Sequence, residues 1–298
     1  MVRDHVDNQN TQISPVTSTL ASSAISPQQQ SQWTNAAMLV HGIPTPELIS
    51  QGRSRQLFET FLSLMGINQH FVDPRAFSDS LDLLYHDEAS RFGQMQTLWY
   101  TQYLLVMAMG MLIGSPSESL TSPPGTSFFA EAIKLLPPTH ELGSHGVLAV
   151  ETLCLVGLYL QWCDRKHDAY LYVGSALRLA MALGCSLPHD EQQGLWSEIN
   201  HRVRVWWTAY MLDRRLSTGL GFPPGVDGRQ LRAELPRPFA GYQHPLPMII
   251  NIRIAQMTGE IMTSFYGNMA ITQTELVTRI QNTLHSLREI GSSIPSSW

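Results

Sequence analysis

Four histidines are each followed directly by an acid: His86-Asp87, His140-Glu141, His167-Asp168 and His189-Asp190. Imidazole and carboxylate are the ligand types of a metal-dependent phosphohydrolase of the His-Asp kind. All four pairs fall at predicted helix ends and in loops, where His and Asp cap helices or stand in water. They are therefore read as caps and solvated polar residues. Asp79, Asp82, Asp87 and Glu88 come nearest to the acidic cluster with which an all-α enzyme such as a terpene synthase holds magnesium. Their spacing does not line one cavity face. The sequence has no His-Glu-x-x-His, no Gly-x-Ser-x-Gly and no phosphate-cradling glycine loop ahead of a helix. The expectation is a chain without catalytic or metal-ligating residues, and not an enzyme.

The most informative residues lie between Asn200 and Pro236. Ile199, Val203, Trp206 and Tyr210 recur at helical spacing, and Val205, Trp207, Met211, Leu212 and Leu216 widen that stripe over most of the helix. Such a helix is buried inside a bundle. Gly219, Gly221, Pro223, Pro224 and Gly225 end it. Trp206, Trp207 and Tyr210 admit two readings: an aromatic pocket for a small-molecule effector, or large rings that fill the core. The pattern favours the second. Asp213 continues the inward stripe, and a buried carboxylate needs a cation or a hydrogen-bond donor. Arg202 shares its face but lies roughly 16 Å away along the axis. The partner is expected from another helix, and Arg178, set in the apolar run Ala176-Leu177-Arg178-Leu179-Ala180, is the residue predicted. Arg202, Arg204, Arg214 and Arg215 have apolar neighbours, so they read as makers of intrahelix and buried contacts rather than as a nucleic-acid stripe.

The rest of the chain must supply the elements that bury this segment. Of 298 residues, 43% are hydrophobic and 14% charged, well below the usual charged share. The net charge of −5 argues against a surface that neutralises many phosphates. Cys154, Cys163 and Cys185 are too few for a disulfide framework or a four-cysteine zinc site, and Cys154 and Cys163 read as buried thiols in a reducing compartment. No secretory signal is read, and the longest apolar run, Tyr103 to Gly114, is too short to span a bilayer. The expectation is a soluble intracellular protein.

Residues 1–46 carry no Asp, Glu, Lys or Arg after Asp7 and are rich in Ser, Thr and Gln, so a disordered arm is expected there. One helical domain is predicted over 47–291, with a tail over 292–298. Its helices are read at Glu47–Gly66, from Pro74 through Leu84, at Phe92–Ile113 as one long central helix, and at Phe128–Leu136. A hairpin of Val147–Cys163 and Ala169–Gly184 follows. After the segment from Asn200 come an irregular excursion at Arg229–Gln243 and helices at Met248–Tyr266 and Thr274–Ile290. No alternating run bounded by hairpin turns competes. The fold class is all-α, an irregular helix bundle.

Trp206-Trp207, Leu212-Asp213-Arg214, Ser217, the Gly221-Phe222-Pro223 turn and the closing Leu235-Pro236 resemble the middle homology region of fungal binuclear-zinc-cluster (Zn2Cys6) transcription factors. Upstream, Gly174 to Gly184 is similar to that family's Gly-x-Ala-x-Arg-x-Ala-x-x-Leu-Gly helix, in the family's order and at about its separation. The resemblance marks Arg178, Trp206, Trp207, Tyr210, Asp213, Arg214, Gly221 and Pro223 as a structural signature. It implies the regulatory helical domain of a nuclear gene regulator acting on RNA polymerase II transcription, of a metabolic or secondary-metabolite pathway. Protein partners or a homodimer, and a small-molecule effector, are part of what it implies. In that family a separate N-terminal module reads DNA, with six cysteines holding two zinc ions. Residues 1–46 contain no cysteine, so no zinc ligand or DNA contact carries over to a residue of this sequence. Zinc is expected only if such a module exists outside it, and DNA is expected to be reached only indirectly or through that module. The alternative is a sensing or protein-interaction module with no transcriptional role.

Overall fold

Apolar residues at helical spacing, broken by Pro, Gly and side-chain caps, place ten α-helices and two short 3-10 turns among the described residues. The structure is a computed structural model and describes residues 42–114, 122–228, 231–266, 272–292 and 294. Residues 1–41 of the arm expected over 1–46, and most of the expected tail, lie outside them.

Helix α1 (Gln51–Met65) starts later than the predicted Glu47, because the Ser50 side chain accepts the Arg53 N–H at 3.3 Å and caps it. It buries Leu57, Phe58 and Phe61, with Leu62 and Met65 packed at the edge of the core. The segment ahead of it already belongs to the domain. Lys134 Nζ donates to the Ile43 carbonyl at 3.2 Å, and Thr45 Oγ1 donates to Glu131 at 3.1 Å. The boundary predicted at residue 47 therefore moves toward the N-terminus, on contacts that composition does not reveal.

Helix α2 (Pro74–His86) begins at Pro74, as read, with Asp73 Oδ1 accepting the Arg75 and Ala76 N–H groups. The long helix predicted over Phe92–Ile113 is instead two helices, α3 (Glu88–Met95) and α4 (Leu98–Gly114), bent by 88°. At the bend the Gln96 and Thr97 N–H groups turn back to the Gly93 and Gln94 carbonyls, and Thr97 Oγ1 donates to Gln94 O at 2.7 Å. Local side-chain bonding of this kind competes with continued helix. Phe92, which suggested continuity, is 67% exposed.

Next come α5 (Thr126–Leu135), a 3-10 turn at Leu142–His145, and the hairpin of α6 (Val147–Trp162) and α7 (Lys166–Ala182). A second 3-10 turn at His189–Glu191 precedes α8 (Trp196–Leu220), α9 (Leu246–Tyr266) and α10 (Gln273–Ser292). Helices α4 and α6 are buried around nearly their whole circumference, from Thr101 to Gly110 and from Ala149 to Leu160, and they pack on each other. Helices α1 and α5 cover α4, α7 and α8 cover α6, and α9 packs on α8 and α10 on α9. Each fully buried large apolar side chain contributes about 1.5–3 kcal/mol, so this pair of apolar helices is the centre that the others fold onto. No single helix among the described residues is long and apolar enough to cross a membrane.

Candidate functional site

The stripe predicted on α8 is buried as read: Ile199, Val203, Trp206 and Tyr210 all face the core. Tyr210 meets Trp207 edge-on, with ring centroids 5.2 Å apart, and lies 6.4 Å from Trp206. The three rings fill space between helices. Helix α8 ends at Leu220, where Gly221 adopts the left-handed conformation (φ 70°) and the Phe222 N–H closes back on the Ser217 carbonyl at 2.8 Å. Pro223 follows, its carbonyl accepting from Tyr170 Oη at 3.4 Å.

The chain then runs back along α8, the described residues 222–227 and 231–245 forming no helix or strand, and the polar side chains of α8 tie this strap down. Trp207 Nε1 donates to Glu234 O at 2.8 Å, Arg204 Nη2 donates to Arg237 O at 3.0 Å, and Arg214 donates to Val226 O. Arg214 also lies over the Tyr210 ring, 4.6 Å from its centroid. His189 closes the strap from the other side, with Nδ1 2.7 Å from Glu234 Oε2. His189 is 2% exposed, so the reading of the His189-Asp190 pair as solvated is corrected: its imidazole is a buried tie. His86, in contrast, is exposed, and Asp87 caps α3 by accepting the Ser90 N–H at 2.7 Å.

Asp213 points inward as expected, with 1% of its surface exposed, but Arg178 is not its bonded partner. Asp213 Oδ2 accepts the Gly225 N–H at 2.9 Å, and the nearest cation is Arg214, 3.9 Å away. The Arg178 side chain lies exposed along its own helix, beside Gly174, and acts on Asp213 only at a distance. Burial pushes the Asp213 carboxyl up, opposed first by the Gly225 hydrogen bond and then by the two arginines. A backbone amide partners Oδ2 without the ordering of a long side chain, while Oδ1 has no hydrogen-bond partner among the described residues. A Cβ on Gly225 would lie 2.9 Å from both Asp213 Oδ1 and Leu177 Cδ2, so glycine is needed for that approach.

A cavity lies elsewhere on α8. It has a volume of about 330 Å³ and is bounded by the end of α1 and the loop after it, by Arg204, and by the strap around Tyr242 and the start of α9. Trp206, Trp207 and Tyr210, for which an effector pocket is the alternative reading to core filling, do not line it. Its lining mixes apolar residues, Phe61, Leu62, Phe71, Val72 and Met248 among them, with the polar His70, Tyr242, Gln243 and His244. Two buried polar side chains, Arg204 and Gln69, also border it. Arg204 is 3% exposed and its Nη1 has no hydrogen-bond partner; Gln69 is 6% exposed and its Nε2 has none either. Arg204 stands over the Tyr242 ring at 5.0 Å and forms no ion pair among the described residues. Burial lowers its pKa below the ordinary value, yet a guanidinium keeps its charge.

From the cavity lining at His70 and Tyr242 a chain of buried and part-buried polar groups runs inward. His70 N–H donates to Thr208 Oγ1 at 2.8 Å, and His70 Nε2 meets His201 Nδ1 at 2.9 Å. His201 Nε2 is 3.3 Å from Glu151 Oε1, and Gln102 Nε2 donates to Glu151 Oε2 at 3.1 Å. Tyr242 Oη reaches Asp73 Oδ2 at 3.3 Å. Burial holds His70 well below and Glu151 well above their usual ranges. None of these groups is singled out by local pattern. The one available signal is Arg204 itself, a charge inside the apolar stretch from Val203 to Leu212.

The model of the fungal specific transcription factor domain matches residues 67–289 of this chain. An uncharacterized transcriptional regulatory protein of Schizosaccharomyces pombe is 28% identical over 180 residues, which are 56% of this chain and 22% of that protein. The thiamine repressible genes regulatory protein of the same yeast is 27% identical over 150 residues, 48% of this chain and 19% of its own length. A nitrogen assimilation transcription factor of Emericella nidulans is 30% identical over 110 residues, 37% of this chain and 12% of its own. The chain thus spans about a fifth or less of the length of these relatives. No solved structure matches.

Proposed function

This chain belongs to the fungal specific transcription factor domain family, and from that premise we propose that it is the regulatory domain through which a nuclear regulator of metabolic or secondary-metabolite genes sets RNA polymerase II transcription. The observation that carries the reading is the family match across 67–289, which takes in α8 and its strap. The relatives named for thiamine-repressible genes and nitrogen assimilation support a metabolic target set. The domain acts by binding, without catalysis of its own, and meets DNA through another module or a partner protein. Protein partners or a second copy of the chain belong to the same proposal, as does zinc held by a separate cysteine module. The test is the transcript profile of a strain lacking the gene against wild type. A coherent change in the genes of one pathway is expected, and an unchanged profile under conditions that express the protein would overturn the reading.

A further inference from the structure

The geometry points to the apolar stripe of α10 as the surface on which a second copy of this chain docks, helix against helix. Val277, Ile280, Leu284, Leu287 and Ile294 follow the a/d positions of a heptad, with Gly291 at the remaining one. Each of the five is between 42% and 49% exposed. Ile294 stands just past the last turn of α10, and its N–H returns to the Gly291 carbonyl at 3.3 Å. A repeat of 3.5 residues keeps one stripe against a second helix over several turns, so the period itself asks for a helical partner.

The protein leaves this stripe uncovered among the described residues. Helix α10 rests on α9 through another face. Ile290 packs with Ile250 and Met257, and Arg279, Thr283 and Ser286, on the same line as Ile290, are only partly exposed. The apolar stripe lies about a quarter-turn round the helix from that line. The far flank stands in water, with His285 and Glu289 paired at 3.3 Å. A surface helix ordinarily turns its apolar stripe to the body beneath it. Here three polar residues out of four hold that position, and the aliphatic ones are left outside.

The stripe is complementary to itself. Laid antiparallel about a two-fold axis between His285 and Ser286, Leu284 faces Leu287 of the partner subunit, and Val277 faces Ile294 of the partner subunit. Ile280 then faces Gly291 of the partner subunit, a position where a Cβ meets nothing within 4 Å and a larger side chain has room. A shift by one heptad would engage four of the five residues. The flanking e and g positions carry one charged side chain, Arg288, which comes beside Gln281 of the partner subunit, so no like charges oppose. The five half-exposed side chains amount to roughly 400 Å² of each chain. With the polar residues beside them, two copies would cover about 1,000 Å² between them, which is the lower bound for a specific interface and belongs to a weak, reversible dimer.

The experiment is sedimentation velocity on the purified chain from about 1 to about 300 μM, a range that brackets association through a small interface. A monomer is expected at the low end and a dimer at the high end. Leu284→Glu and Leu287→Glu should each weaken association at least about tenfold. Both should melt within a few degrees of wild type at the low concentration, because both positions are half exposed. Leu171→Glu, at an exposed leucine of α7, should leave association unchanged. Crosslinking reads the register, since the three native thiols are buried. Chains with Leu284→Cys should form disulfides with chains carrying Leu287→Cys in preference to their own kind. A chain still monomeric at the top of the range overturns the proposal and leaves the stripe to a helix of another protein. Association that survives both glutamate variants, or that Leu171→Glu weakens equally, overturns it too, and crosslinks of like with like overturn the antiparallel pairing. A second copy as partner belongs to the transcriptional reading, but association is measured on the purified chain. Monomers throughout would leave that reading standing, and unchanged transcripts would leave the dimer standing.

Discussion

Trp207 donates its indole N–H to the backbone carbonyl of Glu234, 2.8 Å away and 27 residues further along the chain. One of the two tryptophans read from the sequence as signature residues thus holds the strap, while its neighbour Trp206 only fills the core. Trp207→Phe should keep most of the packing but leave the Glu234 carbonyl unpaired. The expected cost is about 1–3 kcal/mol, with faster hydrogen exchange across 231–243. Urea unfolding and exchange mass spectrometry check this; a loss of stability with unchanged exchange in the strap would assign Trp207 to packing alone.

Asp213 gives a contrast between two substitutions. Asp213→Ala leaves the Gly225 N–H without its acceptor, and a loss of about 1–3 kcal/mol is expected. Asp213→Asn retains an acceptor oxygen and sheds a charge that burial disfavours. It should be no less stable than wild type at neutral pH. If Asp213→Asn were as damaging as Asp213→Ala, the carboxylate charge would matter through Arg214 and Arg178 more than the backbone bond does.

The polar chain that runs inward from the cavity lining makes stability fall at both ends of the pH scale. His201 is lowered from 6.5 to about 4, by burial first, with Arg202 and Arg204 adding and Asp73 opposing. His70 is lowered in the same direction. Groups with lowered folded values contribute stability above their ordinary pKa and lose it as pH falls toward the folded value. Acidification from pH 6.5 to about 4 should therefore weaken the fold, and His201→Asn should flatten that slope by up to about 3 kcal/mol. Glu151 has the opposite sign: its folded value is raised, so its contribution is full below 4.5 and is lost as pH rises. Glu151→Gln should melt higher than wild type at pH 8. Melting curves from pH 4 to 9 decide both points, and a wild-type curve flat across that range would contradict them.

Helices α6 and α7 approach each other at Gly157, where an added Cβ would come within 2.4 Å of Val173 Cγ2. Gly157→Ala is expected to cost about 1–3 kcal/mol by overpacking. Shortening Val173 to Ala in the same chain should recover part of that loss, giving a coupling energy between the two sites. Strict additivity would show that the helices separate instead of clashing.

The elements legible in the sequence are those whose signals sit within one segment. The stripe of α8, its stop at Gly221, the α6–α7 hairpin and the start at Pro74 all follow from spacing and caps. The bend between α3 and α4 was hidden because Phe92 extends the apolar period, while the turn that breaks it rests on short-range bonds of Gln94 and Thr97. The partner of Asp213 was hidden for another reason: a backbone N–H such as that of Gly225 has no side chain to announce it. The cavity joins residues near 69, 204 and 242, which only tertiary packing brings together. The aromatic cluster of Trp206, Trp207 and Tyr210 drew attention to the solid part of the same helix.

The central claim, a regulatory domain at work on genes, is tested most directly by chromatin occupancy of the tagged protein in its native host, compared with the transcripts that change when the gene is deleted. Occupancy at discrete promoters is expected, and those promoters should belong to the genes whose transcripts change. Occupancy at no promoter, in cells where the protein is expressed, would contradict it.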